Sequence, residues 1–143
     1  MAMVQWSDEY SVGIQEIDEQ HQVLVGMINE LYVSMAQKDG SEKIGAILSR
    51  LVDYTKIHFA VEECLMRMFN YPGYEPHKRI HDALVERVGE LVGKYQKGDG
   101  QVSVELLFLL KDWLLDHIKE KDTDYAPFLI KQGVLKRWMK KFW

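Results

Sequence analysis

Four stretches of this chain repeat their core-forming residues in alternating four- and three-residue steps, and that period dictates helices lying side by side. The first takes Ile17, His21, Leu24, Ile28, Leu31 and Met35; the second takes Ile44, Leu48, Leu51, Thr55, His58, Glu62, Leu65 and Phe69. The third takes His77, His81, Leu84, Val88, Leu91 and Tyr95, and a less regular fourth takes Leu106, Leu110, Trp113 and His117. Such spacing gathers one stripe of each helix toward a common axis. Turn-forming residues separate the stretches: Lys38-Asp39-Gly40-Ser41, then Asn70-Tyr71-Pro72-Gly73-Tyr74-Glu75-Pro76, then Gly98-Asp99-Gly100. Ser41 and Ser103 are candidate N-caps, and Pro76 suits the first turn of a helix. The fold class is therefore all-α, an antiparallel up-down-up-down four-helix bundle, because short loops join antiparallel neighbours. Its helices are expected over about 18–37, 42–69, 76–97 and 104–121. An N-terminal arm anchored by Trp6, Val12, Gly13 and Ile14 precedes them, and a short C-terminal helix is expected in the segment 125–143.

Composition narrows the setting. At 143 residues, 47% hydrophobic and 28% charged, the chain has the size and make-up of one soluble globular domain, 1–143. A net charge of −4 speaks against nucleic acid as a partner, since that role normally needs a basic face. The longest apolar run, Leu106 to Leu110, is far too short for a transmembrane segment. The first residues lack the basic-then-apolar order of a secretory signal. Cys64, the one cysteine, cannot form an internal disulfide, which suits a reducing compartment, and it is expected as a small buried hydrophobe. A cytoplasmic monomer is the expectation.

All five histidines fall on or beside the inward stripes. His58 and Glu62 are four apart, as are His77 and His81, so each pair shares a helix face about 40° wide, one turn up. The two hairpins also agree in register. His21 stands 18 residues before Asp39 and His58 stands 19 after it; His81 and His117 each stand 18 from Asp99. The polar residues of each hairpin thus meet at one level. A lone core histidine is ordinarily a hydrogen-bonded structural residue. Five of them in a Leu/Ile/Val interior would each need a buried partner, at a cost of about 1–3 kcal/mol if left without one. Metal ligation removes that cost, and imidazole with carboxylate suits iron, zinc or manganese alike.

Taken together, His21, His58-Phe59-Ala60-Val61-Glu62, His77-Lys78-Arg79-Ile80-His81 and His117-Ile118-Lys119-Glu120-Lys121-Asp122 resemble the hemerythrin family, specifically its single-domain bacteriohemerythrins. The resemblance extends to Trp6, to Val12-Gly13, to Ile17-Asp18-Glu19-Gln20-His21 and to Tyr125 with Phe128-Leu129. Myohemerythrin, a relative, is itself an up-down-up-down bundle. The resemblance implies two iron ions bridged by an oxo or hydroxo group. His77, His81 and His117 would hold one; His21 and His58 would hold the other, with a position left open; Glu62 and Asp122 would span both. Asp122 poses a geometric problem, because five residues after His117 is about 140° off the ligand face of a regular helix. The fourth helix is therefore expected to widen into a π-like turn or to stop between them.

The family's function, reversible dioxygen binding for storage or for delivery to oxygen-requiring enzymes, is the implied activity, and the chain is then not an enzyme. Trp113, Leu114 and Ile118 would line or back the oxygen pocket, a role compatible with ordinary core packing. Glu63, turned about 100° from Glu62, is expected at the surface rather than as a ligand, and Phe59, Phe69 and the methionines as core filler. The segment from Lys131 to Trp143 carries Lys131, Lys136, Arg137, Lys140 and Lys141 among aromatics. It reads as an amphipathic helix, or as a docking surface for an acidic partner or a membrane-bound oxygen consumer. Two alternatives compete. A di-iron redox enzyme of ferroxidase or peroxidase type is one, although ferritin-like sites use Glu-x-x-His pairs and more carboxylates. A sensor of oxygen, nitric oxide or iron is the other, normally coupled to an output domain for which this length leaves no room.

Overall fold

The computed structural model describes residues 3–133, and the regular structure among them is entirely helical. Four long helices, α1 (Gln15–Ala36), α2 (Ser41–Met68), α3 (Tyr74–Gln96) and α4 (Val102–His117), run up, down, up and down. A single widened turn, Ile118–Asp122, leads into a short α5 (Thr123–Lys131). Helix α1 packs on α2 and α4, α3 packs on α2 and α4, and α5 folds back against α2.

The 4-3 stripes are what the bundle buries. Ile17, Leu24, Ile28 and Leu31 of α1 meet Leu48, Leu51 and Leu65 of α2, Leu84, Val88 and Leu91 of α3, and Leu106 and Leu110 of α4 in one continuous core. Met35, Ile44, Phe69 and Tyr95 pack at its margins.

The long helices α1, α2 and α3 stop in the same way. Lys38, Asn70 and Gly98 take left-handed backbone, with φ of 58°, 56° and 101°. The amide of each bonds back to Met35, Arg67 and Tyr95, while the next amide reaches Ser34, Met66 and Lys94. This paired closure satisfies carbonyls that a helix end otherwise leaves bare. Only the third position is glycine. Gly40, the glycine of the first turn stretch, precedes α2 as its cap, and it has no side chain to bond the helix amides. Ser41 and Ser103 are likewise inside their helices rather than capping them; the Ser103 hydroxyl donates to the Gly100 carbonyl at 2.8 Å. Pro76 sits in the first turn of α3, where its missing N–H costs nothing.

The N-terminal arm is pinned at two points. Asn29, midway along α1, accepts the Val4 amide at 2.9 Å and donates to the Val4 carbonyl at 2.8 Å. Asp18 accepts the Ser11 hydroxyl at 2.6 Å and the Val12 amide at 2.8 Å. Val4, Val12 and Ile14 are buried as a result, and a short 3-10 turn, Asp8–Tyr10, lies between the pins. Helix α1 therefore begins at Gln15, three residues before its expected start. Cys64 is exposed, contrary to expectation: it is two positions past Glu62, about 200° around α2 from the inward face. The tail residues 134–143, including Lys136, Arg137, Lys140 and Lys141, lie outside the described residues.

Leu91 is fully buried at the end of the core remote from the histidines. Leu91→Ala should lower the free energy of unfolding by about 2–5 kcal/mol and leave the metal content unchanged. Urea titration and elemental analysis check both; a loss of bound metal would show that the two ends of the bundle are not independent.

Candidate metal centre

Helix spacing brings the polar residues of the four stripes into one layer. His21 and His58 face each other across α1 and α2 with ring centroids 4.6 Å apart, and His81 and His117 across α3 and α4 at 4.9 Å. The hairpin registers read from the sequence therefore hold. All seven residues are almost fully buried: His21 and Glu62 are at 0% exposure, and His77 and His117, the most open, are at 5%.

Asp122 reaches this layer because the backbone widens at Ile118–Asp122 into a π-turn. Such a turn bonds each residue to the one five positions back, so Asp122 returns over His117 rather than pointing to solvent. Its two oxygens then divide between the two sides of the layer. Oδ1 lies 3.1 Å from His117 Nε2 and 3.2 Å from His77 Nε2, and Oδ2 lies 3.1 Å from His21 Nε2. Glu62 also spans both sides: its Oε1 lies 3.1 Å from His58 Nε2 and 3.6 Å from His81 Nε2.

Two ligand sets result, His77-His81-His117-Asp122 and His21-His58-Glu62-Asp122, each with donor atoms all within 4.8 Å of one another. Their geometry is that of atoms aimed at a common point. The Nε2 atom of His117 is 3.0 Å from that of His81 and 3.2 Å from that of His77. Metal–imidazole bonds of about 2.1 Å at right angles separate neighbouring nitrogens by about 3.0 Å. Both nitrogens of His21, Nε2 of His58, Oε1 of Glu62 and both oxygens of Asp122 are buried without a hydrogen bond, despite near neighbours. Close but misdirected polar atoms in a dry interior fit cations between them. The donor set is one that accommodates two transition-metal ions with a shared carboxylate.

Residues 12–129 match the family described as the hemerythrin HHE cation binding domain. The chain belongs to the hemerythrin family. It is 39% identical to a bacteriohemerythrin of Pseudomonas aeruginosa over 99% of each chain. A bacteriohemerythrin of Methylococcus capsulatus is 34% identical over 90% of this chain and 98% of its own. A crystal structure of wild-type hemerythrin aligns with a TM-score of 0.84 at 32% identity, covering 90% of this chain and 98% of that one. The cofactor of hemerythrins is a di-iron centre, and the clustered imidazoles and carboxylates here are able to hold it.

Electrostatics act differently on the individual groups. Burial, with the neighbouring His77 and His117 adding to it, drives the His81 imidazole down to about 2, so His81 offers a free lone pair at any ordinary pH. Burial would raise the Asp122 carboxyl, but the imidazoles of His117, His21 and His77 outweigh it and hold Asp122 well below the usual carboxylate range. Burial lowers His58, and the adjacent Glu62 more than restores it, for a net rise. Tyr125 is pushed well above its ordinary value by burial and by the charges of Glu62 and Asp122; its hydroxyl donates to Glu62 Oε2.

Four contributors to this site escaped the sequence reading. Gln20 accepts from His58 Nδ1 at 2.6 Å, and Glu63 meets His81 Nδ1 at 2.8 Å. Glu63 is thus neither a ligand nor a plain surface residue; its side chain is 16% exposed. Phe59 stacks on the His81 ring, 3.7 Å between centroids and 3° from parallel, so it does more than fill the core. Tyr125, noted only within the resemblance, caps Glu62. The available signal was the demand of each ligating imidazole for an acceptor at its second nitrogen.

Asp122→Ala should reduce bound metal from two ions per chain to one or none by elemental analysis; two retained ions would remove Asp122 as a shared ligand. Stripping the metal should also destabilise the bundle. An ion present at a thousandfold over its Kd adds about 4 kcal/mol, so chelation should lower the melting midpoint by roughly 10 °C.

Proposed function

We propose that this hemerythrin binds dioxygen reversibly at a di-iron centre, as a store or as a carrier to oxygen-consuming enzymes, and is not itself an enzyme. In this reading His77, His81 and His117 hold one iron, His21 and His58 hold the other, and Glu62 and Asp122 span the pair. When bound, two ferrous ions supply the two electrons for reversible reduction of dioxygen. Five neutral imidazoles to two carboxylates give high-valent iron little anionic stabilisation, which favours release over oxidative turnover.

The observation that carries the reading is a small, mostly apolar cavity one turn away from the ligands. Leu24, Thr55, Leu84 and Leu114 each lie three residues along the helix from His21, His58, His81 and His117, and all four line it, with Ile28, Leu51, Leu110 and Trp113. Because the helices alternate in direction, these offsets all point the same way, toward the middle of the bundle. The space is small, with about 10 Å³ of freedom for the centre of a water-sized molecule, about the least that can hold one small guest. Its one hydroxyl, on Thr55, donates to the Leu51 carbonyl at 2.7 Å, so that proton is not offered to the cavity. An apolar guest is preferred there, and water that would promote oxidation of the metal is kept out. Trp113 and Leu114 belong to this wall; Ile118 is fully buried in the π-turn and does not line it.

Iron content with visible spectra recorded through cycles of oxygen and vacuum tests the proposal. A reversible colour change is expected, and irreversible bleaching, or turnover with a reductant, overturns it. Leu114→Ala should open the wall to water and make autoxidation severalfold faster; an unchanged rate would detach this cavity from the oxygen site.

A further inference from the structure

The two halves of the centre differ in the groups behind their ligands. His81 and His58 both turn Nε2 toward the ligand layer, so a metal there leaves the proton on Nδ1 of each ring. His81 Nδ1 faces the carboxylate of Glu63 at 2.8 Å, whereas His58 Nδ1 faces the carboxamide oxygen of Gln20 at 2.6 Å. The remaining ligand on the second side, His21, has an Nδ1 that is buried with no hydrogen-bond partner. Glu63 is itself steadied: its other oxygen lies 3.9 Å from Lys78 Nζ, and that ammonium is clamped on Asp82 at 2.9 and 3.0 Å. Asp122 and Glu62 reach both sides, so they do not distinguish them.

An imidazole that donates to a carboxylate is a stronger electron donor than one that donates to a neutral amide. We propose that Glu63 and Gln20 are positioning residues that make the two metal sites unequal. The three-histidine site binds its ion more tightly through the anion behind His81, and the two-histidine site is left weaker, with a neutral acceptor behind His58 and none behind His21. The weaker donor set lies on the side where the family reading leaves a position open for a ligand. This inference rests on the two-metal reading of the centre.

Cobalt(II) titration of the apoprotein without oxygen, followed by its visible absorption, separates the two ideas because it needs no gas binding and no redox change. Wild-type protein should take up two ions in two resolved steps. Glu63→Gln keeps an acceptor for His81 but removes the charge, and should weaken the tight step by about 10- to 100-fold while leaving the weaker step in place. Gln20→Glu, the reciprocal change, should strengthen the weaker step and narrow the gap; a purely structural role predicts no such gain. Unmoved steps in both variants overturn the proposal and leave the two-metal centre intact. Failure of wild-type protein to bind two ions overturns both. Should Glu63→Gln fail to fold, seen as lost helical circular dichroism, Gln20→Glu decides alone: an unchanged weak step sinks the inference.

Discussion

The Nε2 atom of His117, 3.0 Å from that of His81 and 3.2 Å from that of His77 in a layer buried from solvent, makes contacts that cannot all be satisfied at once. Neutral imidazoles can share a proton in one direction only, and Glu62 Oε1 and both Asp122 oxygens lie near them without a hydrogen bond. Each such atom costs about 1–3 kcal/mol in a protein interior without a partner. A cation at the focus reverses the sign of that cost. The same dry environment that penalises the empty arrangement strengthens the ion's attraction to its ligands. Helix register, π-turn and burial are all ways of keeping seven polar side chains pointed at two foci in a bundle that otherwise packs as hydrocarbon.

The up-and-down topology does more than bring ligands together. Each ligand-bearing helix contributes a residue three positions away to the adjacent cavity, and alternation of chain direction turns offsets of opposite sign into a single layer. Ligand layer and cavity layer are therefore consecutive rungs of the same four stripes. In this chain the period that places the ligands also places the residues of the apolar chamber beside them.

The parts of this arrangement legible in the sequence are those governed by period. The stripes of α1, α2 and α3, the pairing of His21 with His58, and that of His81 with His117 follow from 3.6 residues per turn and short loops. By period alone Asp122 is legible as a conflict, since its spacing from His117 is wrong for an α-helix, and the conflict points to the widened turn; its part as a ligand comes from the family resemblance. What escaped was set by side-chain reach rather than by backbone period. Glu63 sits about 100° from its neighbour Glu62, which reads as surface, yet a flexible carboxylate bridges that angle to an imidazole on the next helix. Gln20 does the same from α1. The loop details escaped for another reason. Lys38 and Asn70 occupy left-handed backbone that favours glycine, and the closure bonds to Ser34 and Met66 hold them there against local preference. Asparagine tolerates that conformation, but nothing in the residue type of Lys38 announces it.

The aromatic residues tie the two layers together mechanically. Phe59 lies flat on His81, and Trp113 lies on His117 with centroids 4.3 Å apart and planes 14° from parallel. A stacked ring can slide in its plane but cannot tilt, so the lone-pair direction of each ligand is fixed by packing as well as by any metal bond. Trp113 also lines the cavity. Any guest large enough to push the indole aside must therefore tilt His117, and through it disturb the Nε2 focus shared with His77 and His81. The chamber's wall is thus made partly of the scaffold that holds the ligands straight.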